Sequence, residues 1–168
     1  QPFGLRTSYR GAPTKNGLKK PVVLRSSDGE SWIARADIPR NDSWIDQWKV
    51  ILGLAYGERG SFPYWITSSP EILGPGTACT ETYLVIDRFD SEAKAKVFAS
   101  YLRTRFVRFL IALQKYTQHL YSDRFSFVPD LPMNQTWTDK KLYQKYSITE
   151  DEIAFIESMV RPMEATDG

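Results

Sequence analysis

At 168 residues, with 42% hydrophobic and 14% aromatic content, the chain can bury a substantial core, which excludes a mainly disordered protein. A net charge of +2 favours no class of partner, and one cysteine with one histidine excludes an internal disulfide and a Cys/His zinc set. No apolar run approaches the roughly 18 residues of a membrane-spanning helix and no signal peptide opens the sequence, so a cytoplasmic location without membrane contact is expected. The chain starts Gln-Pro-Phe-Gly without an initiator methionine, as a fragment cut from a longer protein would. Charge is unevenly spread. Arg6, Arg10, Lys15, Lys19, Lys20 and Arg25 face no acid before Ser27, whereas Glu150, Asp151, Glu152, Glu157, Glu164 and Asp167 dominate the end. Such a polarised surface can steer toward phosphates.

Glycines, Pro2 and Pro13 make residues 1–20 irregular, with a short strand around Phe3 to Thr7. Pro21 to Arg25 and Ser31 to Arg35 read as two strands joined at Asp28-Gly29, a pair that takes the positive φ of a hairpin turn. Asn41 to Ile45 reads as a capped turn of helix, and Trp48 to Leu52 as a third strand. From Glu58 to Thr80 glycine and proline recur, with short extended pieces at Tyr64 to Thr67 and Ile72. A long irregular segment inside a domain is a place to look for function.

Cys79 to Ile86 reads as a buried strand, and its thiol as a small buried group rather than a nucleophile. Asp90 or Ser91 can cap the next element, a helix. Phe98, Leu102, Phe106, Phe109 and Leu113 recur along it at helical steps, an apolar stripe on one long helix. Arg105 would fall inside that stripe, which predicts a bend near Thr104 or a guanidinium reaching out to water. Arg124 to Pro129 alternates as an edge strand. Thr138 and Thr149 start two small helices, the second with a capping box to Glu152, and Trp137/Leu142 and Ile148/Ile153 are placed as hydrophobic staples. The fold class expected is α+β: a mixed sheet of short strands packed on one long helix (about 91–113), with two small C-terminal helices, in a single domain over 1–168.

Catalytic sets are missing. No glycine-rich dinucleotide or phosphate loop occurs, and a serine triad would rest on His119 alone, without a glycine-elbow serine. Asp130, Asp139 and Lys141 imitate the spelling of a magnesium nuclease, but Asp139-Lys-Lys opens a capped helix rather than ending a strand. The Asn-Pro-Pro-Tyr motif of adenine methylation is absent. No catalytic residue and no metal ligand is therefore assigned.

Several phrases do occur in a telling order. They are Pro2-Phe-Gly-Leu-Arg-Thr7, Trp48-Lys-Val50, Cys79-Thr-Glu-Thr-Tyr-Leu-Val-Ile86, Thr104-Arg-Phe-Val-Arg-Phe-Leu-Ile111, Phe127-Val-Pro129, Trp137-Thr-Asp139, Leu142-Tyr143 and Glu152-Ile-Ala-Phe-Ile-Glu-Ser-Met159. Together they resemble the C-terminal target-recognition region of bacterial restriction-modification proteins, adenine-specific DNA methyltransferases of which some carry a type II restriction endonuclease. The resemblance implies a domain that reads a short double-stranded DNA sequence. The catalytic core, in the same parent chain or a partner subunit, would bind S-adenosylmethionine and flip the adenine outside this chain.

Base-reading residues are expected in the irregular stretches, because arginine grips guanine and glutamine grips adenine with paired hydrogen bonds. The candidates are Tyr56, Arg59 and Ser61 in the glycine-rich loop, and Thr117, Gln118 and His119 after the long helix. Arg6, Lys15, Lys19 and Lys20 are the phosphate candidates. An alternative from another class is a protein-interaction module that docks a restriction or methyltransferase subunit through its aromatic surface and acidic last helix.

Overall fold

The computed structural model describes residues 1–58, 60–115 and 119–164. Its contacts divide the chain into two compact units, Gln1–Leu54 with Glu71–Ala95 and Ala55–Pro70 with Lys96–Gly168. The architecture is α+β.

In the first unit the Asp28-Gly29 turn works as its chemistry suggests. Strand β1 (Pro21–Ser26) and β2 (Gly29–Ala34) pair antiparallel with Val23 opposite Trp32, and Gly29 takes a φ of +105°. Ser26 Oγ accepts from Asp28 N at 3.3 Å and donates to Gly29 O at 3.1 Å, closing the turn from inside. β5 (Thr77–Cys79) adds parallel to β1, giving the order β2-β1-β5. A second sheet, β4-β3-β6, consists of β3 (Trp48–Gly53) antiparallel to both β4 (Glu71–Leu73) and β6 (Tyr83–Phe89).

The single mixed sheet expected from sequence is thus two three-stranded sheets. The strand expected over Cys79–Ile86 is likewise two strands. Thr80 N donates to Arg25 O at 3.1 Å and Tyr83 N to Thr80 O at 3.1 Å, which turns the chain out of one sheet and into the other. Phe3 to Thr7 forms no strand, yet Phe3 and Leu5 are buried in the core with Leu24, Ile33, Ile45, Ile51 and Cys79. Each such fully buried large apolar side chain contributes about 1.5–3 kcal/mol.

Burial along β3 is continuous from Lys49 to Leu52 and therefore includes a lysine. Lys49 Nζ is enclosed by the carbonyl oxygens of Gln47 (2.7 Å), Trp44 (3.0 Å), Ile45 (3.3 Å) and Gly74 (3.3 Å). Burial pushes its pKa down to about 8, against the pull of Cys79 and Asp46. Burial pushes the Cys79 thiol up to about 12, which favours its protonated form at neutral pH.

The helices fall mainly in the second unit, and the long one is broken. Helix α1 spans Glu92–Arg103 and α2 spans Arg105–Gln114. Thr104 between them has extended backbone (φ −61°, ψ 146°), which ends one helix and caps the next. Its hydroxyl donates to Tyr101 O at 2.7 Å and accepts from Val107 N at 3.3 Å. The break lies at the predicted bend, but the arginine it accommodates in the interior is Arg108, which is fully buried.

Residues expected as an edge strand, Arg124–Pro129, instead continue a 3-10 turn at Ser122–Phe125. Local bonds Ser126 N to Asp123 O (3.2 Å) and Val128 N to Phe125 O (2.9 Å) satisfy the backbone in place of a ladder. Helix α3 (Asp139–Lys145) is capped by Thr138, and α4 (Glu150–Met159) by Thr149 with both bonds of its capping box to Glu152. No helix among the described residues is long and apolar enough to cross a membrane.

Candidate nucleic-acid interface

In the second unit the described residues between Ala55 and Ile66 form a loop whose two ends are tied together. Lys115, just past α2, donates from Nζ to Tyr56 O and to Ile66 O, both at 2.6 Å. Glu58 Oε2 accepts from Ile66 N at 3.0 Å, a second tie across the same neck. Ile66 sits there at φ +69°, a conformation unfavourable for a β-branched residue, with both its backbone polar groups engaged. On one side Ala55 forms an antiparallel bridge with His119. On the other, Tyr64 pairs with the end of α4 and the residues after it, accepting from Arg161 N at 2.9 Å and donating to Met159 O at 2.9 Å.

Arg108 supports this loop from beneath. Its guanidinium donates to Arg103 O (2.9 Å and 3.1 Å), Trp65 O (3.1 Å) and Arg161 O (2.6 Å), all backbone carbonyls. Burial lowers its pKa only to about 10, so it remains a cation at neutral pH. Arg108, expected with Arg103 and Arg105 to decorate the helix surface, is instead buried, and the role of Lys115 was not foreseen. The available signal was a cation embedded in the apolar run Phe106-Val-Arg-Phe-Leu-Ile111.

Fixing the neck leaves the tip outward. Ser61 is exposed, Phe62 is 50% exposed, and the Phe62 ring lies 4.3 Å from that of Tyr64, whose hydroxyl donates to Gly60 O. Tyr56 is half-buried beneath the Lys115 ammonium, 5.5 Å from its ring centroid. Burial raises the pKa of its phenol, with Glu58 acting in the same direction. His119 is exposed and its ring stacks with that of Tyr121 at 6.1 Å. Two segments far apart in sequence, both expected to carry base-reading side chains, are therefore joined through Ala55–His119 and Tyr56–Lys115. Arg59, Thr117 and Gln118 lie outside the described residues. Phe62, Tyr64 and Tyr121 were not foreseen as part of this surface.

No family model matches the chain, and no curated protein or solved structure matches it.

The phosphate candidates Arg6, Lys15, Lys19 and Lys20 are exposed residues of the first unit. Ala12 pairs with Trp32 of β2 through bonds of 2.7 Å and 2.9 Å, and Lys15 lies 5.9 Å from the Trp32 ring centroid. Lys20 has a φ of +48° and its carbonyl accepts from Arg35 N at 3.2 Å. Two further cations of the basic opening are engaged, Arg10 with Asp28 at 2.7 Å and Arg25 with Glu71 at 2.9 Å.

Two of the residues that imitate a nuclease, Asp139 and Lys141, make structural bonds. Asp139 Oδ1 accepts from Phe106 N at 2.9 Å and Oδ2 from Arg105 N at 3.1 Å, so its carboxylate caps α2 from another element. Lys141 Nζ donates to Thr136 O at 2.7 Å. Among the described residues no group of three or more His, Cys, Asp or Glu could hold a metal ion.

Proposed function

We propose that the chain reads a short sequence in double-stranded DNA, as the recognition part of a restriction-modification enzyme. Its adenine-N6 methyltransferase core, and any endonuclease, would lie outside these residues, along with the S-adenosylmethionine site. The observation that carries this reading is the junction of the 55–66 loop with the segment ending at His119. It groups Tyr56, Ser61 and His119 on two tied segments instead of scattering them.

Reading base edges needs side chains held in register, because paired hydrogen bonds tolerate little displacement. The Lys115 and Glu58 ties hold the loop neck at two places. The exposed rings of Phe62 and Tyr121 offer apolar contact beside the polar groups. In the first unit, Arg6, Lys15, Lys19 and Lys20 would hold phosphates and contribute affinity without sequence information.

The test is selection of bound duplexes from a randomised pool, at low and at near-physiological salt. Enrichment of one short motif at both salts is the expected result. Binding confined to low salt, with no motif enriched, would count against sequence reading.

A further inference from the structure

A second surface of the helical unit has a different character. Phe106, Phe109, Leu110, Ile148, Phe155 and Ile156 line an open groove between α2 and α4 with a volume of about 430 Å³. The α2 residues recur at three- and four-residue steps and continue to Leu113, so the apolar strip runs along the helix. Phe155 on α4 is 56% exposed and Leu113 on α2 is 47% exposed, so each helix offers a large apolar side chain to solvent. The Phe155 ring meets Phe109 edge-on at 5.9 Å across the groove.

The rim says what could cover it. Asp151 and Glu152 complete the lining, and no Lys or Arg belongs to it among the described residues. Glu150 adds a third acid in the same helical turn. Thr149 N donates to Glu152 and holds its carboxyl below the usual carboxylate range, so this rim charge persists. Glu157, also on α4, is paired with Arg105 at 2.9 Å, and Lys145 lies near the rings of Trp137 and Tyr146.

We propose that the α2–α4 groove docks an amphipathic helix of a protein partner, with apolar side chains at helical spacing and lysine or arginine beside them. A groove walled by two helices, with an apolar strip about two turns long on α2, can accept a helix whose anchors fill it. Acidic rim charges attract the flanking cations and repel a phosphate backbone, which separates this surface from any DNA contact. The proposal stands independently of DNA reading.

The experiment titrates the intact chain with two fluorescent helical peptides of about five turns, one of leucine and lysine, its twin of leucine and glutamate. Expected are binding of the lysine peptide that weakens as salt rises, and no binding of the twin. Phe155→Lys should weaken that binding about tenfold or more. Because Phe155 is 56% exposed, the variant should stay folded and lose only its edge contact with Phe109, which a melting curve checks. Asp151→Lys should reduce both the affinity and its salt dependence. Equal binding of the two peptides, binding of neither, or unchanged affinity in both variants would overturn the proposal.

Discussion

Lys115 holds Tyr56 twice, by a 2.6 Å bond to its carbonyl oxygen and by an ammonium 5.5 Å from its ring centroid. The same ammonium takes the carbonyl of Ile66, so one side chain closes the loop that carries Ser61 and Phe62. Lys115→Met keeps the aliphatic stem and abandons both carbonyls, and should cost about 1–3 kcal/mol. The local signature is faster amide exchange at Tyr64 and Ile66, while the β1–β2 hairpin keeps its protection. Loss of protection spread evenly over the chain would show that the lysine is not a local clamp.

The buried pair of ionisable groups in the first unit should shape the alkaline stability profile. With Lys49 lowered from 10.5 to about 8, the unfolded chain binds the extra proton in between, so stability rises with pH over that window. With Cys79 raised from 9.0 to about 12, the folded state holds the extra proton there, and stability falls. Each slope is at most about 1.4 kcal/mol per pH unit, so the two offset each other where the windows overlap. Urea unfolding across this range should show a rise just above pH 8 that Lys49→Met abolishes. In Cys79→Ala the rise should extend further. A Lys49→Met profile parallel to the wild type would refute the assignment.

Asp139 can be tested as a cap rather than a metal ligand. Asp139→Ala leaves the first N–H groups of α2 without their acceptors and should destabilise by about 1–2 kcal/mol. Asp139→Asn retains one acceptor oxygen and should recover part of that loss. Denaturant unfolding distinguishes the two. If asparagine were no better than alanine, the capping account would fail.

For DNA, positions in the two units should respond differently. Charge reversal at Lys19 and Lys20 should weaken binding to every duplex alike and flatten its salt dependence. Alanine at Ser61 or His119 should alter the motif recovered by selection, with smaller change in salt dependence. A changed motif in the lysine variants, or the same motif in both loop variants, would reverse the assignment of roles.

Local chemistry in the sequence located much of the fold. The Asp28-Gly29 turn, the Thr138 cap and the Thr149–Glu152 box are satisfied within a few residues, and each stands where its residue types place it. What escaped was set by distant partners. The bend near Thr104 was legible, but not that Asp139 would cap the second helix, nor that the sheets would be divided by a turn whose bond runs back to Arg25. At the candidate site, glycine and proline marked the loop. Nothing in its own sequence announced that Lys115 would close it, or that Ala55 would meet His119.

Lys49, Arg108 and Lys115 share one habit: each takes several main-chain oxygens within the unit it holds together. Main-chain oxygens are supplied by every amino acid, so these anchors place little demand on which side chains stand at the positions they grip. The loop can then be rewritten at its tip while the fastening beneath it stays the same. Gly60, at a φ of +103°, has to stay glycine, but exchanging Ser61 and Phe62 should alter what the surface meets at little cost in stability. The scaffold is suited to diversification, in evolution or in a laboratory library.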